Sequence, residues 1–370
     1  MRPLELRSTS GQEMGARPRL QERTSVTLAR GVTELECLVP AWEALARAAL
    51  EPNPFYEHWM LRPALEAYAR GKDVVVALVW TGERLDGLFP FARVPRYKGL
   101  PASALVSWQH SHTLLCTPLV RAEAAKPCLE TLLDWLDSSF VEFRYLPAGE
   151  PFHRTLLEVL SARGNDVVVI RSHGRGLLRK HRATISPKFR RQLAKSEKKA
   201  GFTVVTLQSG DDIGRWIDEF LRIEASGWKG KNGSAMACTP VNERYFRDII
   251  GAAFRRGQLI GCGLDAGTRA VARRFSFTAG AASYAFKTAY DETFAELSPG
   301  ALLELANVRQ VDADPRIEWM DSFTEVNVLA VERLWPDRRE MQTLVAGIGA
   351  LGRVATAALP WLRWLKRRLP

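Results

Sequence analysis

One order of predicted elements occurs twice along the chain, and this feature restricts the fold most. In each half, one or two helical segments precede antiparallel strands, and a further helix then leads to a last strand. The second half shows the order most clearly, with the strands QLIGCGLD, AVARRFSFTA and SYAFKTAYD in succession. No sequence repeat accompanies it, so the similarity is one of architecture. We therefore predict an α+β fold with mixed, mostly antiparallel sheets, flanking helices and two similar lobes.

The length of 370 residues agrees with two domains of about 150 residues each. Changes in composition and periodicity predict five segments. They are a flexible leader (1–24), an N-terminal lobe (25–170), a basic linker and helix (171–201), a C-terminal lobe (202–345) and an amphipathic basic tail (346–370).

The stretch from Ser283 to Ala301 carries the most chemical information. A strand ends at Tyr290 and Asp291, and Ser298-Pro299-Gly300 then opens a helix, with Ser298 as the expected side-chain cap. Unpaired amides and the positive end of a helix dipole form an anion site that suits a pyrophosphate, and Gly300 would let a ligand approach the backbone. Ser-Pro-Gly is also a frequent helix start that needs no ligand, so both interpretations stay open.

A second informative stretch, 222–233, leaves a helix and enters a loop rich in Gly and Lys. It is either part of a site or a solvated loop after a helix that ends at Gly227.

Taken together, several motifs give the chain a resemblance to a known family. NPFYEHWMLRPAL, EASGWKGKNGSAM, KTAYDETFAELSPGALLE, MDSF and LWPDRR occur in this order between about residues 50 and 345. With them the chain resembles the GNAT-superfamily acyltransferases of the CelD type, which are associated with cellulose and exopolysaccharide biosynthesis loci. Relatives often carry D-S-C-A followed by D-H-P, whereas residues 321–327 read DSFTEVN here. The departure implies another acceptor or a reduced activity.

The resemblance implies a pair of GNAT-like lobes, similar to Fem-type aminoacyl transferases, and acyl transfer from an acyl-CoA, most simply acetyl-CoA, to an amine without a metal. It also implies that the strand ending at Tyr290 and the helix opening at Ser298 flank the CoA pyrophosphate. The candidate cofactor-binding residues are accordingly Lys287, Ser298, Pro299, Gly300 and Ala301. Lys287 could reach a phosphate or an anionic acceptor, or it could be a surface charge.

Attack of an amine on a thioester requires a proton acceptor, because an amine of pKa near 10 is mostly protonated at neutral pH. Asp291 and Glu325 are the candidate bases, followed by Asp321, and Tyr290 is the candidate acid for the departing thiolate. Each could instead be a capping, solvated or packing residue. The candidate acceptor-pocket residues, which could equally be structural, are Trp228, Lys229 and Glu224.

The sequence also bears on metals and on the cellular compartment. His110 and His112 lack an evident third metal ligand nearby, and the five cysteines form no CxxC pair. The first residues contain no apolar signal region. We therefore expect a cytoplasmic protein without a metal, with peripheral attachment to the inner membrane as a further hypothesis.

Positive charge is concentrated between residues 171 and 199, where eleven Lys and Arg oppose only Glu197, against a net charge of +11 for the whole chain. This segment is a solvated inter-lobe helix, a clamp for CoA phosphates or an anionic substrate, or a tRNA contact.

The tail LVAGIGALGRVATAALPWLRWLKRRLP either lies on an anionic membrane leaflet or docks on the protein's own body, or is disordered. The expected acceptor is a small-molecule or glycan-linked amine, in polysaccharide or cell-envelope biosynthesis. The alternatives are a Fem-like enzyme that uses aminoacyl-tRNA and a catalytically silent scaffold.

Overall fold

A computed structural model describes residues 23–324 and 328–366, and the side chains of 359–366 are not included. Thirteen strands form one continuous sheet, with helices packed on both faces. The predicted α+β class is therefore confirmed. Most of the predicted leader lies outside the described residues.

The first half of the chain supplies one end of the sheet. Its elements are β1 (Thr24–Ala29), α1 (Val32–Glu36), α2 (Val39–Arg47), α3 (His58–Tyr68), β2 (Val74–Thr81), β3 (Arg84–Val94), β4 (Ala104–Ser107), β5 (Leu119–Val120), α4 (Ala125–Trp135), β6 (Phe140–Pro147), α5 (Pro151–Ala162) and β7 (Val167–Arg179).

The second half follows a similar order, with one additional helix before its first strand and another after its last. Its elements are α6 (Pro187–Ala200), β8 (Thr203–Thr206), α7 (Ile213–Ser226), α8 (Trp228–Lys231), α9 (Pro240–Arg255), β9 (Leu259–Ala266), β10 (Arg269–Ala279), β11 (Ala282–Tyr290), α10 (Pro299–Ala313), β12 (Trp319–Asp321), α11 (Leu329–Leu334), β13 (Asp337–Gly347) and α12 (Ala350–Lys366).

The strand order is β1-β2-β3-β4-β6-β13-β7-β12-β11-β10-β9-β8, with β5 paired to β3. Most neighbours are antiparallel, but each half contains one parallel pair, β4 with β6 and β11 with β12. The helix α4 connects the strands of the first pair and α10 those of the second. The two halves therefore share one topology, joined at β7 and β13 in the centre of the sheet.

Local sequence accounts for the helices that flank the second half. The Ser186 side chain accepts the Phe189 amide at the start of α6, which ends at Gly201 with φ 58°. Asp212 caps α7 in the same way, and α7 buries Trp216, Phe220 and Ile223 against the sheet. These helices lie where the periodicity predicts them.

The centre of the sheet departs from the sequence-based expectation. The predicted strand ends at Ile170, whereas β7 continues to Arg179, and β13 pairs with both β6 and β7 of the first half. An ion-pair cluster that joins β7, β12 and β13 accounts for this difference. Arg175 is 1% exposed and contacts Asp321 with its Nε at 2.6 Å, and Arg339 of β13 reaches the same carboxylate at 3.0 Å.

The start of the C-terminal tail docks on the protein itself. Thr356 is buried, and Ala355 packs beside a cluster that contains Tyr97, Phe140 and Val345. Leu351 and Val354, one turn apart on α12, are 54% and 69% exposed. Trp361, Trp364 and the basic residues around them belong to the part whose side chains are not described.

Candidate functional site

A gap in the sheet opens beside β11. Its pairing with β12 extends only from Ala282 to Tyr284, so its edge from Ala285 to Tyr290 carries no strand of the described chain. On the other side, a bulge interrupts the pairing with β10 at Phe286. The open edge therefore presents backbone N–H and C=O groups that an extended ligand can pair with.

The start of α10 lies at the end of this edge, and its geometry differs from the prediction. Ser298 is left-handed (φ 54°) and its side chain caps nothing, so the predicted Ser298 cap is wrong. The Ser298 amide donates to the Ala295 carbonyl, and the amides of Ala301 and Leu302 return to the Ser298 carbonyl. Pro299 has no amide hydrogen. Gly300 is left with an amide that donates to no described residue.

Tyr290 covers Gly300. A Cβ on Gly300 would lie 3.3 Å from the Tyr290 ring, and Tyr290 itself is 38% exposed. Any anion that binds the Gly300 amide therefore has Tyr290 as a wall.

Asp291 acts as a capping carboxylate in this structure. Its Oδ1 accepts the amide and the hydroxyl of Thr293, and its Oδ2 accepts Arg269 at 2.5 Å. Although partial burial opposes it, these bonds hold the pKa of Asp291 below its usual value. The carboxylate is therefore a weak base with both oxygens engaged.

The loop after α7 forms the second wall. Buried Glu224 accepts Lys229 at 2.9 Å and the Met236 amide at 2.8 Å, while Trp228 stays 57% exposed. Glu292, which the sequence analysis missed, accepts the Trp228 amide at 2.7 Å. These groups line a cavity of about 40 Å³ against Thr288 and Tyr290, close to the volume of one water molecule.

Lys287 faces a cluster contributed by the first half. Its Nζ lies 3.3 Å from the Nδ1 of His112, in the loop that follows β4. His110 of that loop stacks on Tyr68 of α3 at 4.6 Å. From α9, Tyr245 stacks on His112 at 6.1 Å. We call Tyr68, His110, His112, Asn242, Tyr245 and Lys287 the inter-lobe cluster.

The same loop closes the corresponding gap of the first half. Trp108 and Cys116 are buried there, and the Cys116 amide reaches the Tyr145 carbonyl of β6, beyond the β4–β6 pairing, at 3.5 Å. Asn53 holds the loop through the Thr117 carbonyl at 2.8 Å. The first half therefore has no open gap at this position. Its loop instead places His110 and His112 next to the second half.

Burial sets the charges in the inter-lobe cluster. It lowers the pKa of His110 to about 3 and that of His112 to about 4, so both are neutral at pH 7. It also lowers the pKa of Lys287 to about 8; Glu224 opposes this shift and Lys229 adds to it. Lys287 is therefore mostly protonated at neutral pH, but much less firmly than an exposed lysine.

The remaining predicted residues lie elsewhere. Asp321 is enclosed by Arg175 and Arg339, which outweigh its burial and keep its pKa low. Glu325 lies outside the described residues. No group of three or more His, Cys, Asp or Glu that could hold a metal occurs in 23–324 and 328–366. Over the same ranges, no helix is long and apolar enough to cross a membrane.

Comparisons with known proteins agree with this topology. Residues 179–325 match the acetyltransferase (GNAT) domain family. No curated protein matches the sequence. The structure of FemX is similar with a TM-score of 0.54 at 9% identity, over 83% of this chain and 95% of that one.

Two further solved structures are similar. A conserved protein of unknown function from Bacteroides thetaiotaomicron has a TM-score of 0.51 at 12% identity, over 88% of this chain and 100% of its own. The C-terminal domain of a putative lysylphosphatidylglycerol synthetase from Agrobacterium fabrum has a TM-score of 0.50 at 10% identity, over 88% of this chain and 96% of its own. The chain therefore has a fold of two GNAT-like lobes, and its residues 179–325 match the GNAT-type acetyltransferase domain.

Proposed function

We propose that the protein is an N-acyltransferase that moves an acyl group, most simply acetyl, from an acyl-CoA to an amine. The observation that carries the proposal is the open edge of β11 from Ala285 to Tyr290, with the free amide of Gly300 at the start of α10 beyond its end. A pantetheine arm carries amides that can pair with a strand edge, and a diphosphate suits the start of a helix.

The residues present fit such a donor with one adjustment. The Gly300 amide and the start of α10 would hold the diphosphate, and the β11 edge would hold the arm. The cavity beside Trp228 is too small for a thioester, so Trp228 or Tyr290 has to move when the donor binds. Both side chains are exposed and free to do so.

The chemistry joins the amine nitrogen to the thioester carbonyl carbon and releases the CoA thiol. Among the described residues near the gap, Glu224 is occupied by Lys229, and Asp291 by Arg269 and Thr293. We therefore propose that the acceptor amine arrives neutral, and that its proton leaves to solvent, because histidines with pKa values of about 3 and 4 are also weak bases. The rate then rises with pH towards the pKa of the amine itself.

A thiol-release assay with acetyl-CoA and a panel of amines tests the proposal. We expect amine-dependent release that falls at least tenfold in His112→Ala, because the variant removes a wall of the inter-lobe cluster. His181→Ala is the matched control, since His181 is exposed and lies near Asp312 instead. If no amine promotes thiol release and acetyl-CoA does not raise the Tm, the proposed function is wrong.

One observation favours a second candidate, a Fem-like enzyme that takes its acyl group from aminoacyl-tRNA. α6 packs near residues 292–297 and exposes Lys188, Arg190, Arg191, Lys195, Lys198 and Lys199. None of these six forms an ion pair with a described residue. A thermal-shift titration with bulk tRNA separates the candidates, because stabilisation by tRNA but not by acetyl-CoA would favour the second.

The CelD-type motifs support a narrower proposal, a role in polysaccharide or cell-envelope biosynthesis with a glycan-linked or small amine as acceptor and a cytoplasmic location. Loss of amine acylation in extracts of a deletion strain, restored by the wild-type chain, would support it.

A further inference from the structure

Lys287 is a cation without a counter-ion. Its Nζ contacts His112 Nδ1 at 3.3 Å, and it forms no ion pair with any residue in 23–324 and 328–366. The side chain is partly buried at the bulge of β11, above the Phe286 ring at 5.7 Å. A lysine held away from water in this way is stabilised by an anion that the described chain does not provide.

The nearby carboxylate is already committed. Glu224 is 3% exposed, and its two oxygens accept Lys229 at 2.9 Å and the Met236 amide at 2.8 Å. The histidines on the other side are neutral. Lys287 and Lys229 therefore face one carboxylate, and the charged groups that act on Lys287 do not neutralise both lysines.

A second buried polar group in the same cluster also lacks a partner. Tyr245 is 1% exposed, and its hydroxyl makes no hydrogen bond to a described residue. The hydroxyl of neighbouring Tyr68, by contrast, donates to Asn242 Oδ1 at 2.9 Å. The Tyr245 ring packs on His112, the residue that contacts Lys287. The Tyr245 ring and the Lys287 ammonium group thus adjoin the same imidazole, and neither the Tyr245 hydroxyl nor the ammonium group has an anionic acceptor among the described residues.

The position along β11 indicates which part of the reaction these groups face. Lys287 lies three residues before the strand end at Tyr290, a separation of about 10 Å along the strand. The diphosphate proposed above would lie beyond that end, at Gly300. Lys287 therefore lies near the reacting end of the donor, where the amine must also approach.

We propose that the acyl acceptor carries an acidic group, a carboxylate or a phosphate, close to its amine, and that Lys287 binds this group beside Tyr245. The inference rests on the proposed function. It makes the acceptor an amino acid, an amino phosphate or a molecule ending in one of these. The charged groups near Lys287 are Glu224 and Lys229 from the α7–α8 side, whereas His110 and His112 from the first lobe are neutral at pH 7.

Matched acceptor pairs test the inference in the thiol-release assay. L-alanine is compared with ethylamine, and phosphoethanolamine with ethanolamine, which also distinguishes a carboxylate from a phosphate. We expect kcat/KM, calculated for the neutral amine, to be at least tenfold higher for the acidic member of one pair. This preference should vanish in Lys287→Met, persist in Lys287→Arg and be unchanged in Lys126→Met, which alters an exposed lysine of α4. Equal rates within both pairs would overturn the inference and leave the proposed function intact.

Calorimetry at pH 8 gives a readout that does not depend on turnover. An acidic probe that binds Lys287 raises the pKa of the lysine, so binding takes up protons, and the heat then depends on the ionisation enthalpy of the buffer. We expect proton uptake with propionate or ethyl phosphate, which carry the acidic group without an amine, in the wild type and none in Lys287→Met. Absence of uptake with both probes, or uptake that survives in Lys287→Met, would overturn the inference even if no acyl transfer is detected.

Discussion

Lys287 of β11 and His112 of the first-lobe loop lie 3.3 Å apart across the boundary between the two halves. The loop that carries His112 fills the slot of its own half and completes the pocket of the other. The two lobes therefore differ in the described structure, since the second has an open strand edge beside the start of α10 and the first has this gap filled by its own loop. An isolated fragment of residues 202–345 would lack one wall of the inter-lobe cluster.

The lowered pKa of Lys287 makes folding depend on pH. Below pH 8 the Lys287 amine is charged in both the folded and the unfolded state, and the folded state bears the full free-energy cost of burying the charge. Between about pH 8 and 10.5 the unfolded state binds more protons than the folded state, so the free energy of unfolding rises with pH. Lys287→Met should thus be more stable than the wild type at pH 7, by at most about 3 kcal/mol. Urea unfolding should show this advantage shrinking towards pH 10.5. A difference independent of pH, like that expected of Lys188→Met, would contradict the assignment.

The cluster of Asp321 with Arg175 and Arg339 joins the halves at the centre of the sheet. Asp321→Asn leaves two buried guanidinium groups without a full charge partner, and we expect a loss of about 3–5 kcal/mol in the free energy of unfolding. The exposed pair of Glu197 with Arg309 is the control, and Glu197→Gln should cost less than about 1 kcal/mol. Equal costs in urea denaturation would show that the central cluster does not hold the halves together.

Glu292 ties α8 to the loop before α10 through the Trp228 amide and through Lys231. Glu292→Ala should free α8, and we expect amide exchange across residues 228–232 to accelerate at least tenfold. Glu296→Ala removes an exposed carboxylate that forms no hydrogen bond with a described residue, and it should leave exchange unchanged. Unaltered protection in Glu292→Ala would mean that packing alone orders the loop.

The membrane contact of the C-terminal helix stays a prediction. Leu351 and Val354 are exposed on α12, and from residue 341 onwards the sequence has five basic residues and no acidic one. Leu351→Glu with Val354→Glu should reduce cosedimentation with vesicles rich in phosphatidylglycerol, whereas Leu100→Glu, on another exposed apolar residue, should not. Failure of the wild type to sediment with such vesicles would refute the contact.

Periodicity predicted the fold well because most elements bury one apolar face. The α6 helix, the three strands from β9 to β11 and the start of α10 all lie close to their expected places. Two strands at the centre of the sheet were missed: β13 was not predicted, and at the end of β7 the basic residues suggested a solvated linker. Arg175 is instead buried and paired with Asp321. Because Asp321 lies far along the chain, no local sequence pattern predicts this pair.

The candidate site was predictable only in part. The motif around Lys287 and Gly300 identified the strand and helix that border the gap. His112 was considered only as a metal ligand, and Tyr245 and Glu292 were not considered, because their roles depend on contacts between distant segments. Ser298 could not be recognised as left-handed, since its sequence is that of an ordinary cap.

Binding of acetyl-CoA to the start of α10 is the most direct test of the account. Isothermal titration should show binding to the wild type and to Gly210→Leu, a glycine with open space around it, but at least a tenfold weaker affinity in Gly300→Leu, whose side chain would meet Tyr290 and block the free amide. Circular dichroism should show both variants folded. Equal affinity in a folded Gly300→Leu variant would contradict the account, because the donor would then bind elsewhere.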